Sequence, residues 1–180
     1  MLNAFEAPED IMSLLPPLNL REWIEEHRHL LEPPVGNKKI WEDTNFDIFV
    51  VGGPNQRKDY HIDPDEEFFY MLEGQMTLKV VDDGHFKDIT IGEGEIFLLP
   101  PYVPHSPQRP AGSVGLVIEH KRAEGKEDGL RWYCDNCGEI VHEEFFQLHD
   151  IVEQLKGTIQ GFWASDEKRT CPNCGEVLQK

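Results

Sequence analysis

Two stretches of the chain decide its fold: residues 61–74 read HIDPDEEFFYMLEG, and residues 94–109 read GEIFLLPPYVPHSPQR. Each stretch contains an apolar run of strand length, a glycine that marks a turn, and a histidine that can bind a metal. The pattern therefore predicts that His61 and His105 are carried by strands or by the turns beside them.

Similar apolar runs recur on both sides of these stretches. They occupy residues 46–51, 67–72, 76–81, 96–99 and 114–118. Turn signals separate them and no helix is predicted between them, which favours an all-β fold, an antiparallel sandwich or barrel. Residues 75–81 and 86–91, joined by Asp-Asp-Gly-His, are expected to form a hairpin.

The predicted barrel is flanked by segments of a different character. Residues 1–18 are acidic and proline-rich and are interpreted as a loose arm, and Asn19 is predicted to cap a helix over 20–31. Residues 121–130 are charged and poor in apolar side chains, as a linker is, and a further helix is predicted at 149–163. The chain is thus divided into an arm, helix and barrel at 1–125 and a smaller extension at 126–180.

The composition excludes several classes of partner. The 180 residues include 17 Lys+Arg and 34 Asp+Glu, a formal net charge of −17, which repels the phosphate backbone of nucleic acids. No apolar stretch is long enough to span a membrane, and the acidic N-terminus lacks the basic region of a secretory signal. We therefore expect a cytoplasmic protein whose four cysteines bind metal and form no disulfides.

The two histidines suit a mononuclear iron site. Such a site needs two neutral imidazoles and one carboxylate on one face of the metal, with other positions open for substrate and dioxygen. The candidates for the carboxylate are Asp63, Asp65, Glu66 and Glu67. Alternate residues of a strand face the same side, but this parity alone does not choose between Glu66 and Glu67.

The first stretch resembles the first motif of the cupin family, His-x-His-x(3–4)-Glu-x(6)-Gly. His61, Glu67 and Gly74 match its positions. Asp63 stands where the motif has its second histidine, so a site of three histidines and a glutamate becomes one of two histidines and a glutamate. The resemblance implies a cupin fold, a double-stranded β-helix or jelly-roll barrel, with Glu67 as the acidic ligand.

The second stretch resembles the second cupin motif, Gly-x(5)-Pro-x-Gly-x(2)-His-x(3)-Asn. Gly94, Pro100 and His105 match its positions, whereas Tyr102 replaces its inner glycine and Arg109 replaces its final asparagine. Because the cupin fold hosts many functions, the two motifs alone imply the fold and no particular reaction.

Longer strings are similar to one cupin family, the 3-hydroxyanthranilate 3,4-dioxygenases. They are VVGGPNQRKDYH at 50–61, EEFFY at 66–70 and FLLPPYVPHSPQRP at 97–110. The resemblance implies an enzyme that opens the ring of 3-hydroxyanthranilate with O2 to give 2-amino-3-carboxymuconate semialdehyde. This product is the precursor of quinolinate in the biosynthesis of NAD from tryptophan by the kynurenine pathway. The resemblance also implies a homodimer.

The same resemblance implies roles for individual residues. The expected ligands of the catalytic Fe(II) are His61, Glu67 and His105. Glu67 is also expected to contact the substrate. Arg109 is expected to grip the substrate carboxylate, for which a planar guanidinium is suited, and Arg57 is expected to be a second arginine of the site. Glu119 is expected to accept a proton or hydrogen bond from the substrate hydroxyl or amine.

Two nearly identical Cys-x-x-Cys-Gly turns lie in the extension. Their cysteines are Cys134, Cys137, Cys171 and Cys174. Four thiolates form a coordinatively closed site, which suits a structural or electron-transfer role. The turns resemble those of rubredoxin, and the microbial and fungal type of this dioxygenase has a similar iron site. We therefore expect a second metal, iron or zinc, that is dispensable for the chemistry.

Two alternatives remain open from the sequence. The chain can be a cupin binding module with a structural metal, or a different cupin enzyme such as an isomerase or a thiol dioxygenase. Arg57, Arg109 and Glu119 favour the ring-cleaving enzyme over the binding module, because a structural metal needs no carboxylate-binding groups beside it.

Overall fold

The computed structural model describes residues 14–33, 36–42, 44–149 and 151–180. Residues 1–13 of the predicted arm lie outside this description. The strands are β1 (Asn37–Lys39), β2 (Phe46–Gly52), β3 (Asp59–Ile62), β4 (Glu67–Glu73), β5 (Met76–Asp82), β6 (His85–Ile91), β7 (Ile96–Leu99), β8 (His105–Gln108), β9 (Val114–His120), β10 (Glu127–Tyr133) and β11 (Ile140–Gln147). The helices are α1 (Leu20–His27), α2 (Ile151–Trp163) and α3 (Asp166–Arg169).

The strands form two antiparallel sheets. The first has the order β1-β2-β9-β4-β7, and the second has the order β11-β10-β3-β8-β5-β6. Along the chain the strands pass repeatedly from one sheet to the other, as in a double-stranded β-helix. The predicted all-β cupin barrel with a few helices is therefore confirmed.

The main hydrophobic core lies between the two sheets. Phe69 and Val117 from the first sheet pack in one cluster with Leu78 and Val80 from the second. Burial of side chains of this size stabilises a fold by roughly 1.5–3 kcal/mol each. The strands that carry the candidate site are thus fixed by this core.

Strand β2 shows how alternation assigns side chains to two faces. Phe49 belongs to the core between the sheets, whereas its neighbour Val50 belongs to a second cluster with Ile24 and Leu31. Ile24 lies in α1, so the N-terminal helical segment covers the outer face of the first sheet. Alternate residues of β2 therefore pack into the core between the sheets and against the N-terminal helical segment.

The local elements follow the expectations closely. The β5–β6 hairpin turns at Asp83 and Gly84, both with positive φ (49° and 75°), as a tight two-residue turn requires. Asn19 caps α1 by accepting a hydrogen bond from the backbone N–H of Glu22. The α-helix ends at His27 and continues as a 3₁₀ turn, so it is shorter than predicted. No helix in the described part of the chain is long and apolar enough to cross a membrane.

The C-terminal extension joins the barrel through β10. This strand pairs with β3 on one side and with β11 on the other, so residues 127–130 are not the linker that their charge predicted. Leu130 and Trp132 of this strand form a third hydrophobic cluster with Phe162 and Leu178. The division of the chain between residues 125 and 126 stays a prediction.

Candidate active site

The three expected metal ligands lie together inside the barrel. His61 on β3 and His105 on β8 are directly opposite each other in the second sheet, and Glu67 begins β4 in the first sheet. All three side chains are buried, and each offers a ligand atom that lies within 4.8 Å of the other two. The structure therefore brings together two imidazoles and one carboxylate from both sheets.

His105 directs one ring nitrogen toward Glu67. Its Nδ1 donates to the carbonyl oxygen of Val103 at 3.0 Å, which leaves the lone pair on Nε2. Nε2 lies 2.8 Å from Glu67 Oε2, yet this buried oxygen has no hydrogen-bond partner among the described residues. Two acceptor atoms this close without a shared hydrogen fit a metal ion that both of them bind.

His61 is held in a similar way by a carboxylate. Its Nε2 lies 2.8 Å from Asp128 Oδ2, so Nε2 carries the proton and Nδ1 has the free lone pair. Burial lowers the pKa of His61, although the hydrogen bond to Asp128 opposes the shift. A neutral imidazole is the form that binds metals, and the site therefore fits a divalent ion held by two histidines and a glutamate.

The candidate ligands open onto a cavity of about 450 Å³. Arg57, Arg109 and Glu119 also line this cavity, as do Leu155 and Ile159 of α2. All of the residues that the sequence assigned to the catalytic site thus face one space. The part of the wall formed by α2 was not predicted, because the sequence does not show which surface an amphipathic helix covers.

The two arginines differ in their partners. Arg57 Nε donates to Asp59 Oδ2 at 2.9 Å. Arg109 is only 4% exposed, and its buried Nε has no hydrogen-bond partner among the described residues. Burial lowers the pKa of Arg109 to about 10, so it is still a cation at neutral pH. A buried guanidinium with an unused donor is suited to an anionic ligand.

Glu119 lies beside the acidic ligand on the neighbouring strand. Its backbone is directly opposite that of Glu67. Burial and the charge of Glu67 raise the pKa of Glu119 to about 7, although the guanidinium of Arg122 opposes the shift. A carboxyl group with this pKa can exchange a proton near neutral pH.

Arg122 is a part of the site that was not predicted. Its side chain is 3% exposed and binds three carboxylates. They are Asp63 at 2.6 Å, Glu119 at 2.8 Å and Asp128 at 2.7 Å. Asp63, which replaces the second histidine of the first cupin motif, thus contacts Arg122 and is not in the His61, Glu67 and His105 group.

The four cysteines form a second candidate metal site. Sγ–Sγ distances of 3.6 Å separate Cys134 from Cys174 and Cys137 from Cys171, which is too far for disulfides. Each turn closes on a glycine with positive φ, at positions 138 and 175, where other residues are strained. The structure thus brings the four predicted thiols together. The group lies at the C-terminal end of β10, a strand that ends directly before Cys134.

The Cys134→Ser/Cys171→Ser double variant is expected to lose the second metal and to become less stable by about 3 kcal/mol or more, because such metals contribute directly to folding. For a chain of this size, that loss lowers the Tm by roughly 6–12 °C. Calorimetry and metal analysis measure both changes. Turnover by the folded, iron-loaded variant is expected to persist, and its complete loss would contradict a purely structural role.

Two imidazoles and one carboxylate, buried inside a double-stranded β-helix, define a cupin metalloprotein with the ligand set of non-haem iron oxygenases. Comparison with known proteins narrows this class. The profile of the 3-hydroxyanthranilic acid dioxygenase family matches residues 12–163. The chain therefore belongs to the 3-hydroxyanthranilic acid dioxygenase family.

Two 3-hydroxyanthranilate 3,4-dioxygenases agree with this assignment. The 3-hydroxyanthranilate 3,4-dioxygenase of Jannaschia sp. (strain CCS1) is 59% identical over 92% of this chain and 93% of its own length. The enzyme of the same name from Ruegeria pomeroyi is 55% identical with the same coverage. Among solved structures, a cupin-2 domain protein from Shewanella frigidimarina is 19% identical and covers 54% of this chain and 92% of its own, with a TM-score of 0.46.

Proposed function

We propose that the chain catalyses the reaction of its relatives, the cleavage of 3-hydroxyanthranilate by O2 to 2-amino-3-carboxymuconate semialdehyde. Both oxygen atoms enter the product, and the ring opens between the hydroxyl-bearing carbon and its neighbour. Family membership and relatives at 55–59% identity over most of the chain support this reaction. The product places the enzyme in the route from tryptophan to quinolinate and NAD.

The proposed catalytic metal is Fe(II), held by His61, Glu67 and His105. The unpartnered Glu67 oxygen and the free lone pairs on the two imidazoles support this ligand set. When bound, Fe(II) supplies the redox chemistry with O2 that a redox-silent ion such as zinc lacks. A metal held by these three side chains would remain accessible to the substrate and O2, and Glu67 would also contact the substrate.

The observation that carries the substrate assignment is the buried, unused donor of Arg109 in the same cavity as the metal ligands. In the proposal, Arg109 binds the substrate carboxylate and thereby aligns the ring over the metal. Arg57, which donates a hydrogen bond to Asp59, is a second cation that lines this cavity. The two charges offset the substrate's own charge inside a protein of net charge −17.

Glu119 is the proposed proton acceptor. It lines the same cavity as the two arginines, and its raised pKa of about 7 lets it take a proton from the substrate hydroxyl or amine. Removal of this proton increases the electron density of the ring before it reacts with O2. The contact with Arg122 at 2.8 Å stabilises the carboxylate form and fixes its position.

Further parts of the proposal concern the whole chain. The four-cysteine site holds iron or zinc with a structural role, and the chain acts as a homodimer in the cytoplasm. The free, clustered cysteines support a reducing location. The barrel within 1–125 contributes all six residues proposed for the catalytic site, and the extension at 126–180 holds the second metal.

A direct assay tests the reaction. The protein is loaded with Fe(II) without oxygen, mixed with 3-hydroxyanthranilate and exposed to air, and the near-ultraviolet absorbance of the semialdehyde is followed. We expect product in step with oxygen consumption, and no reaction with anthranilate, which lacks the hydroxyl group. Absence of product from protein with iron at the histidine site would overturn the proposed function.

A further inference from the structure

We propose that Asp128 and Arg122 are positioning residues that fix His61 as a metal ligand. The proposal rests on the metal site proposed above and extends it to two residues outside both cupin motifs. It starts from a chain of buried contacts that runs from the extension through Asp128 to His61.

The first contact is between Asp128 and the imidazole. Asp128 is fully buried, and its Oδ2 lies 2.8 Å from His61 Nε2. A carboxylate behind a histidine accepts the ring proton, fixes the tautomer and ring orientation, and makes the other nitrogen a stronger ligand. Asp128 therefore decides which nitrogen of His61 is available to the metal.

The second contact fixes the carboxylate itself. Arg122 donates from Nε to Asp128 Oδ1 at 2.7 Å and from Nη2 to Oδ2 at 2.8 Å. This two-point grip holds the plane of the carboxylate, because the guanidinium fork matches both oxygens. Nη1 also donates to the backbone carbonyl of His120 at 2.5 Å, which anchors Arg122 to the end of β9.

The third step concerns charge. Asp63, Glu119 and Asp128 surround one guanidinium, and all four side chains are at most 4% exposed. Arg122 is thus the cation shared by three buried carboxyl groups beside the proposed metal ligands. Its Nη2 contacts both Glu119 at 2.8 Å and Asp128 at 2.8 Å, so the two side chains are held by one group.

The topology explains how Asp128, a residue of the extension, reaches His61. Asp128 sits on β10, whose pairing with β3 places Leu130 directly opposite His61. The fold of the extension, held by its own core and by the four cysteines, therefore sets the position of a group that contacts a catalytic ligand.

The test uses Co(II) as a coloured stand-in for Fe(II), with the four-cysteine site filled by zinc. The dissociation constant and ligand-field spectrum of Co(II) at the histidine site are measured for wild type, Asp128→Asn and Asp128→Ala. Loss of such a carboxylate typically weakens metal binding by about 10- to 100-fold. We expect the lower figure for Asp128→Asn, the higher for Asp128→Ala, and an altered spectrum in both.

Two further variants make the test specific. Glu143→Gln removes an ion pair with Arg131 between β10 and β11 at a distance from the site, and it is expected to leave Co(II) binding and the spectrum unchanged. Arg122→Lys keeps the charge but loses the fork, so Co(II) is expected to bind about 10-fold more weakly. If Asp128→Ala does not fold, Arg122→Lys and Asp128→Asn together still test the proposal.

The outcomes separate this inference from the proposed function. Asp128 variants that are less stable but bind Co(II) within twofold of wild type, with the same spectrum, would show a merely structural role and overturn the inference. Unchanged binding in Arg122→Lys would overturn the part played by Arg122. Wild-type protein that binds no Co(II) at the histidine site would instead defeat the metal site itself.

Discussion

His105→Ala is expected to abolish binding of the proposed catalytic iron and to lower kcat/KM by at least about 10³-fold, since even the loss of a group behind a ligand costs about 10- to 100-fold. The reason is geometric. His105 is one of the three proposed ligands, and its lone pair lies on Nε2 because Nδ1 donates a hydrogen bond to the Val103 carbonyl oxygen. Two remaining ligands, His61 and Glu67, cannot form the triangular face of ligands that such a site needs.

Iron analysis and steady-state kinetics on the same samples measure this effect. His85→Ala is the matched control, because His85 is exposed on the β5–β6 hairpin and is expected to keep both iron and activity. Circular dichroism checks that the His105 variant is folded, since the side chain is buried. A folded variant that retains iron at the site and turns over normally would exclude His105 as a ligand.

Most of the fold was predicted from the strand pattern and from the spacing of the two motifs. Apolar runs separated by turns predicted the hairpin of β5 and β6 and the placement of His61 and His105. The alternation of side chains along β4 could not show whether Glu66 or Glu67 faces the site, because this strand has large apolar side chains on both faces. In the structure Glu67 is buried and Glu66 is exposed. In the sequence, only the spacing of the first cupin motif distinguished them.

The parts that were not predicted depend on contacts between distant residues. Arg122 and Asp128 stand in a charged segment that reads as a linker, and their partners Asp63 and His61 are about sixty positions away. A buried ion network has no period and no fixed spacing, so composition alone makes it look exposed. The side chains of Arg122 and Asp128 are instead buried and paired with each other.

Arg109→Ala is expected to lower kcat/KM for 3-hydroxyanthranilate by about 30- to 4,000-fold, mainly through KM, because truncating one member of a buried charge pair costs about 2–5 kcal/mol. The unpartnered Nε of Arg109 inside the cavity is the basis for this expectation. Without the guanidinium, the substrate carboxylate enters the cavity beside the acidic side chains of Glu67 and Glu119 and has lost the cation proposed to bind it. Oxygen-consumption kinetics over a range of substrate concentrations separate KM from kcat.

A substrate without the carboxylate isolates this contact. 2-Aminophenol has the same hydroxyl and amine but no group for Arg109 to bind, so the Arg109→Ala variant and wild type are expected to use it with similar kcat/KM. Arg109→Lys keeps a charge without the fork and is expected to fall between wild type and alanine with 3-hydroxyanthranilate. An equal loss with both substrates would mean that Arg109 supports the fold or the metal site, and an unchanged kcat/KM would remove it from the site. A loss confined to the carboxylate-bearing substrate is the result that assigns Arg109 to carboxylate binding.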